Sequence, residues 1–287
     1  MKSIQGKKIL VSGGENHLGV MVAQHLLELG ADVFVMSDEK IGMNEISNPD
    51  IILYLKDLEI QTNNSINDPI LNNHLPGLLD LLKLAGMNSS YFVYASSVAV
   101  YGKQKYLPID EDHPLEPTLM YGAVKLAGEL FCKSLALENG FFYTILRYGD
   151  LYGPNICFGE PALFIKTALE KNFISINGLG GQVRSYIYIE DAIEATIKAI
   201  ISKPFNQAIN LAGNEYVSLW HLASIIKHNY CQRSEIKTTN NILLDELESC
   251  VNSSKAKELI GFVPKYDLNE GLTKTYNWLS SLTKECN

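Results

Sequence analysis

Long apolar runs are absent from this chain, and so is any excess of positive charge. Every hydrophobic stretch is interrupted by polar residues well before the ~18 consecutive apolar residues that read as a membrane-spanning helix. The 24 Lys and Arg are outnumbered by 32 Asp and Glu, and a net charge of -8 argues against generic binding to nucleic acid or to an anionic membrane surface. Cysteine is scarce. Cys132, Cys157, Cys231, Cys250 and Cys286 are odd in number and lack metal-ligand or redox spacing, so they read as reduced packing thiols of a cytoplasmic protein. His221, His228 and Cys231 lie close together, but within amphipathic helical periodicity, and no metal site is expected there. The opening MKSIQGKKILVSGG has a charged start followed by an apolar stretch too short for a secretion signal. Internal repeats and low-complexity tracts are missing as well. The remainder, 46% hydrophobic and 20% charged over 287 residues, is ordinary globular composition, long enough for one large α/β domain with a smaller appendage.

The chain begins as a βαβ unit. Lys8 to Ser12 is a short apolar strand, SGGENHLG a turn, VMVAQHLLELG a helical pattern ending at Gly30, and Val33 to Met36 the next strand. A strand that runs through a glycine turn into a helix N-terminus makes a pyrophosphate cradle, because free N–H groups and the helix dipole face the anion. Gly13 and Gly19 hold the first and third positions of a three-by-three glycine spacing, and Asn16 holds the middle one. Asn tolerates positive φ better than most residues, so the turn is expected to survive, with the Asn side chain crowding the ligand. The alternative for this stretch is a strand–helix turn that binds nothing. At the end of the second strand, Ser37 and Asp38 stand where an acid would accept hydrogen bonds from an adenosine ribose. Asp38 favours NAD, and Lys40 nearby keeps NADP open.

The densest chemistry lies between Tyr91 and Gly153. A strand, YFVYASS, ends in hydroxyls, and PLEPTLMYGAVKLAGE follows, with Tyr121 and Lys125 at i and i+4 of a helix. Both then project from one face. Bringing a phenol from its usual pKa near 10 to about 7 takes about 4 kcal/mol of differential stabilisation, much of which an adjacent buried cation supplies. Tyr-x-x-x-Lys by itself is more often a surface pair. Its company here is what makes it a candidate site.

With these residues in view, the chain resembles the extended short-chain dehydrogenases/reductases, in particular the NAD-dependent epimerase/dehydratase group acting on nucleotide sugars. NPDIILYL is similar to that family's fourth strand, DPILNNHLPGLLDLLKLAG to the long helix after it, ASSVAVYG to the segment with the catalytic hydroxyl (Ser97), LRYGDLYGP to the sixth strand and its loop, and INGLGGQVRSYIYIEDAIEA to a segment that brings Arg184 to a substrate diphosphate. GFVPKYDLNEGL resembles the C-terminal signature, from which a complete chain is expected. The resemblance implies a doubly wound parallel sheet (Rossmann-like α/β), spanning residues 1–170 with 185–212 returning to it, and a small substrate lobe within 171–287. It also implies transient hydride chemistry, with Tyr121 as base, Lys125 on the nicotinamide ribose and lowering the Tyr pKa, and Ser97 polarising the same oxygen. Gly13, Asn16, His17, Leu18, Gly19, Ser37, Asp38, Leu55, Lys56, Tyr121, Lys125 and Tyr148 would contact NAD, and Ser97, Asp150, Arg184 and Asp245 the sugar nucleotide.

The chain departs from this pattern in several places. Only ten residues, Glu39 to Asn48, separate the second-strand acid from NPDII. A third strand with its helix does not fit there, so both are expected to be deleted, leaving the adenine side open and a sheet edge exposed. Lys56 stands where the family has small residues, with two readings: it reaches a phosphate, or it fills cofactor space. Asp150 replaces the usual Asn and would repel a phosphate it faced. Ile242 occupies the place of a ribose-gripping Arg, leaving Asp245 alone there and Arg184 to carry the diphosphate, helped by Lys166 or Lys171. Val98 and Ala99, directly after Ser97, carry no acid or base, which disfavours dehydration and decarboxylation and leaves a 4-epimerase or a ketoreductase. A degenerate scaffold that only binds a ligand or protein is the alternative. Leu126, Leu130, Phe131, Leu135 and Leu137 line the Tyr–Lys helix, where the family pairs two subunits, and a homodimer is expected.

Overall fold

The computed structural model describes residues 4–36, 48–56, 69–239 and 249–285. In chain order, β1 (Lys8–Ser12), α1 (His17–Glu28), β2 (Asp32–Met36), β3 (Ile51–Tyr54), α2 (Pro69–Asn88), β4 (Tyr91–Ser97), α3 (Met120–Asn139) and β5 (Tyr143–Tyr148) build the core. Then come β6 (Asp150–Tyr152), α4 (Gly159–Lys171), β7 (Phe173–Asn177), β8 (Val183–Arg184), β9 (Tyr186–Tyr188), α5 (Ile189–Ser202) and β10 (Gln207–Leu211). The chain closes with β11 (Val217–Ser218), α6 (Leu219–Asn229), β12 (Glu235–Thr239), α7 (Ser254–Ile260) and α8 (Leu268–Glu285).

Six of these strands form one parallel sheet in the order β10-β5-β4-β3-β1-β2. Its central strands are continuous apolar runs because both faces are covered. Alternate residues separate onto the two sides. Ile9, Val11, Ile51, Leu53, Tyr91 and Val93 face a core built with α1 and α5. Leu10, Ile52, Tyr54, Phe92 and Tyr94 face a second core with α2 and α3. Each fully buried Leu or Ile in these layers contributes about 1.5–3 kcal/mol. Among the described residues β2 is the outermost strand, and its Phe34 and Val35 are exposed. That agrees with the edge expected from the short connection; residues 37–47, which carry that connection, lie outside the described residues. The smaller pairings β6 with β9, β8 with β11 and β7 with β12 belong to the second half of the chain. His221 and His228 lie on α6, as the helical periodicity of that segment implies. Among the described residues no helix is long and apolar enough to cross a membrane.

One buried ion pair ties these layers together. Arg147 of β5 donates from Nε and Nη2 to the two carboxylate oxygens of Glu129 on α3, at 2.8 and 2.7 Å. The Ser96 hydroxyl adds a bond of 2.7 Å to the same carboxylate, and Arg147 Nη1 donates to the Tyr101 hydroxyl at 2.9 Å. Burial by itself would lower the Arg147 pKa, but the bonds to Glu129 raise it above its already high value. Both side chains are almost wholly buried, so removing one partner strands the other charge. We expect Glu129→Ala to cost about 3–5 kcal/mol of stability, read as a lowered midpoint in urea unfolding.

Candidate active site

The crevice at the carboxyl ends of β1, β3 and β4 is where an open α/β sheet binds its ligand. At β1, Gly13 takes φ +99, and a Cβ there would lie 2.6 Å from the Leu55 backbone, so this turn demands glycine. Asn16 behaves otherwise than its sequence position implies. Its φ is -93, extended rather than left-handed, and its side chain is buried instead of crowding a ligand. Asn16 Oδ1 accepts from the Gly19 N–H at 2.7 Å, capping α1, while Nδ2 donates to the Leu55 carbonyl at 2.8 Å. The middle residue of the motif thus works as an N-cap and as a strap from the turn to the end of β3. His17 and Leu18 open α1, the latter with its side chain in the core. Leu55 is fully buried, leaving its backbone to border the crevice.

Strand alternation divides the two terminal hydroxyls of β4. Ser96 points inward to Glu129, whereas Ser97 caps a short 3-10 turn, Val98–Tyr101, by accepting from the Ala99 N–H at 3.2 Å. Helix α3 seats directly on that turn because residue 122 is glycine; a Cβ there would sit 2.3 Å from the Ala99 carbonyl oxygen. This close approach places Tyr121, in the first turn of α3, beside Ser97 in the wall of one cavity of about 210 Å³. Thr118, Asp150, Glu160, Arg184 and Ser249 also line it. Lys125 is fully buried one turn further along. Its Nζ donates to the carbonyls of Ala95 at 3.0 Å and Lys56 at 3.1 Å, and lies 5.7 Å from the centre of the Tyr121 ring. The carbonyl dipoles and ring faces partly replace the water that the ammonium has lost.

Arg184 is flanked by acids. Its Nε lies 3.8 Å from Asp150 Oδ2 and 3.9 Å from Glu160 Oε1. Desolvation pushes the Asp150 carboxyl up to about 6, with Arg184 and the Ser249 hydroxyl opposing the rise and Glu160 adding to it. Asp150 is partly buried and lines the cavity.

The fold therefore brings together Ser97, Tyr121, Asp150 and Arg184, with Lys125 alongside. Tyr148 it places elsewhere: the side chain is in the core and its hydroxyl is 2.7 Å from Thr196 on α5. Lys166 is exposed and lines a groove between α4 and α8, and Lys171 is exposed at the end of α4, so neither joins Arg184 in the cavity wall. Lys56 meets the site through its carbonyl on Lys125. Ser37, Asp38 and Asp245 lie outside the described residues.

The model of the NAD-dependent epimerase/dehydratase family matches residues 9–212, most of the chain and all of the main sheet after its first residue. The protein belongs to that family. It is 30% identical to a putative UDP-glucose 4-epimerase of Methanocaldococcus jannaschii, over 95% of this chain and 98% of the relative. A UDP-N-acetyl-alpha-D-glucosaminuronate decarboxylase of Bacillus cytotoxicus is 25% identical, over 97% of this chain and 99% of the relative. The crystal structure of UDP-glucuronic acid 4-epimerase from Bacillus cereus, in complex with UDP-glucuronic acid and NAD, shares the fold with a TM-score of 0.83 at 23% identity, covering 96% of this chain and 99% of that one.

Two features of this epimerase/dehydratase family member escaped the sequence reading. Glu160 stands in the first turn of a helix, where an acid is ordinary and carries no functional signal. The double role of Asn16 depends on Leu55, 39 residues away, and only pairing in space reveals it. Replacing Asn16 by Ala removes the cap and leaves a buried carbonyl without its donor. The expected loss is about 1–3 kcal/mol, measurable as a shift in the urea midpoint at constant slope.

Proposed function

We propose that this protein is an NAD-dependent 4-epimerase of a nucleotide-linked sugar, working through Tyr121, Lys125 and Ser97. The observation that carries this reading is the convergence of Ser97, Tyr121 and Arg184 on one cavity, with the buried Lys125 ammonium 5.7 Å from the Tyr121 ring. The relatives support a UDP-linked sugar and NAD as the first ligands to test.

The residues of the crevice fit a dinucleotide. The tight Gly13 turn and the first turn of α1 would turn the positive end of a helix dipole to the pyrophosphate, beside a Gly19 N–H that is already held by Asn16 Oδ1. Asn16 braces that turn against the Leu55 carbonyl, and by sequence position Ser37 and Asp38 are assigned to the adenosine ribose. When bound, NAD would supply reversible hydride transfer at the sugar carbon. Tyr121 removes the proton of the sugar hydroxyl and later returns it. Lys125 stabilises the phenolate through its charge, and Ser97 donates a hydrogen bond to the reacting oxygen. Arg184 binds the substrate together with Asp150 and Asp245. Val98 and Ala99 offer no acid or base next to Ser97, which favours epimerisation over dehydration or decarboxylation. In this reading residues up to 170, with the 185–212 return, form the cofactor-binding core, and the later elements form a lobe over the sugar.

Assembly follows from what α3 leaves exposed. Leu130 and Leu137 are 56% and 88% exposed, and Phe131 and the α2 residue Met87 are also open to solvent. A second copy packed against α2 and α3 would cover them.

Two measurements test these assignments. Tyr121→Phe is expected to lower turnover of a UDP-hexose by about 10²–10⁴-fold while NAD affinity by calorimetry is unchanged; unaltered turnover, or no binding of either NAD or NADP at millimolar concentration, would refute the reading. Light scattering is expected to give twice the 31.9 kDa chain mass, and a combined Leu130→Glu, Leu137→Glu variant is expected to run as a monomer.

A further inference from the structure

Two polar side chains beneath the site, Tyr94 on β4 and His74 on α2, take no part in the mechanism, yet both are fully buried. Tyr94 meets Lys125 at both ends. Its hydroxyl donates to the Lys125 carbonyl at 3.3 Å, and its ring centre lies 5.7 Å from Lys125 Nζ, as far as the Tyr121 ring does on another side. The next residue, Ala95, takes the ammonium on its carbonyl at 3.0 Å. Helix α3 rests on this tyrosine: residue 128 is glycine, and a Cβ there would collide with the Tyr94 hydroxyl oxygen. The hydroxyl is fixed in turn from α2. His74 Nε2 lies 2.9 Å from it, and Tyr54 of β3 donates to the His74 carbonyl at 2.8 Å. A phenol has one proton to give. With that proton on the Lys125 carbonyl, His74 Nε2 is the donor of the second bond. Burial pushes the Tyr94 phenol well above its ordinary value, so the proton stays in place. A buried polar chain costs stability wherever a link goes unmade, and Phe and Leu would fill the same space without that risk.

We propose that Tyr94 and His74 are positioning residues that hold the Lys125 ammonium where it stabilises the Tyr121 phenolate, an assignment that rests on the reading of Tyr121 as the base. The lysine stem is flexible, so the helix alone does not fix its charge. Tyr94 sets the height of α3 through the carbonyl of Lys125 and offers the ammonium the negative face of its ring. His74 keeps the Tyr94 hydroxyl turned toward α3. Charge stabilisation falls as the separation grows, so loosening either contact weakens the hold of the ammonium on the phenolate. The titratable groups around Tyr94 are Cys132, Tyr54, Glu129 and Tyr121, with His74 at its hydroxyl and Lys125 over its ring. Of these, Glu129 is committed to Arg147.

Titration of Tyr121 itself tests this. The tyrosinate absorbance of each NAD-free protein, less that of its own Tyr121→Phe counterpart, reports the one phenol. In the wild type it is expected to ionise well below the ordinary tyrosine value of about 10. Tyr94→Phe and His74→Leu are each expected to raise that midpoint by about half a unit to one unit, an about three- to tenfold loss of phenolate at a given pH. His74→Gln, which returns an N–H donor at similar reach, is expected to bring it back. In the NAD-loaded enzyme the acidic limb of kcat/KM for a UDP-hexose is expected to move with it. A low Tyr121 midpoint that neither Tyr94→Phe nor His74→Leu moves, or a His74→Gln midpoint that stays with that of His74→Leu, would overturn the assignment and leave the base reading intact. An ordinary midpoint in the wild type would remove the base reading, and this inference with it. Tyr94→Phe deletes a single oxygen and carries the test by itself if His74→Leu does not fold.

Discussion

A buried ammonium holds the candidate site in register. Lys125 Nζ bonds to the carbonyl of Ala95 on β4 and to that of Lys56 just beyond β3, so one side chain of α3 is anchored to two neighbouring strands at their carboxyl ends. The position of Tyr121 follows, because it shares the helix four residues upstream. That helix lies close enough to the 3-10 turn after Ser97 only because Gly122 has no side chain to hold it off. Burying an ammonium is costly unless polar groups replace its water, and the two carbonyls and the Tyr121 and Tyr94 rings surround it here.

Two sets of charges at the ends of these strands contrast in purpose. Glu129 and Arg147 form a closed pair, bidentate and supported by Ser96 and Tyr101, with no surface left for a ligand. Asp150, Glu160 and Arg184 form an open set, with longer separations, an excess of negative charge and exposure to the cavity. The first stiffens the scaffold behind the site. The second lines the cavity and is held by weaker, longer contacts.

Much of this arrangement was legible in the chain. The opening βαβ unit and the Tyr121–Lys125 helix follow from periodicity and i,i+4 spacing, and the strand β3 and the shortened connection after β2 from the family resemblance. The role of Asn16 was not legible in the same way. Its preference for positive φ suggested a turn residue, whereas the folded chain uses its amide to bridge Gly19 and Leu55. The direction of the Tyr148 side chain was not legible for a similar reason. A strand residue near the crevice can point to either side of the sheet, and here its hydroxyl found Thr196 on α5. Lys166 and Lys171 were plausible phosphate ligands by proximity in sequence, but they lie on exposed parts of α4 outside the cavity wall.

By itself the sequence determined the opening βαβ unit, most element types and the candidate reactive groups, because these rest on local spacing and on side-chain chemistry that every chain carries wherever it folds; the parallel sheet followed from the family resemblance. Which of those groups share a cavity was decided only by tertiary structure. Asp150, Glu160, Arg184 and Ser249 come from separate segments, and their mutual distances depend on how β6, α4 and β8 pack around the end of the sheet. Electrostatic interaction acts through distance in space, and distance along the chain does not report it.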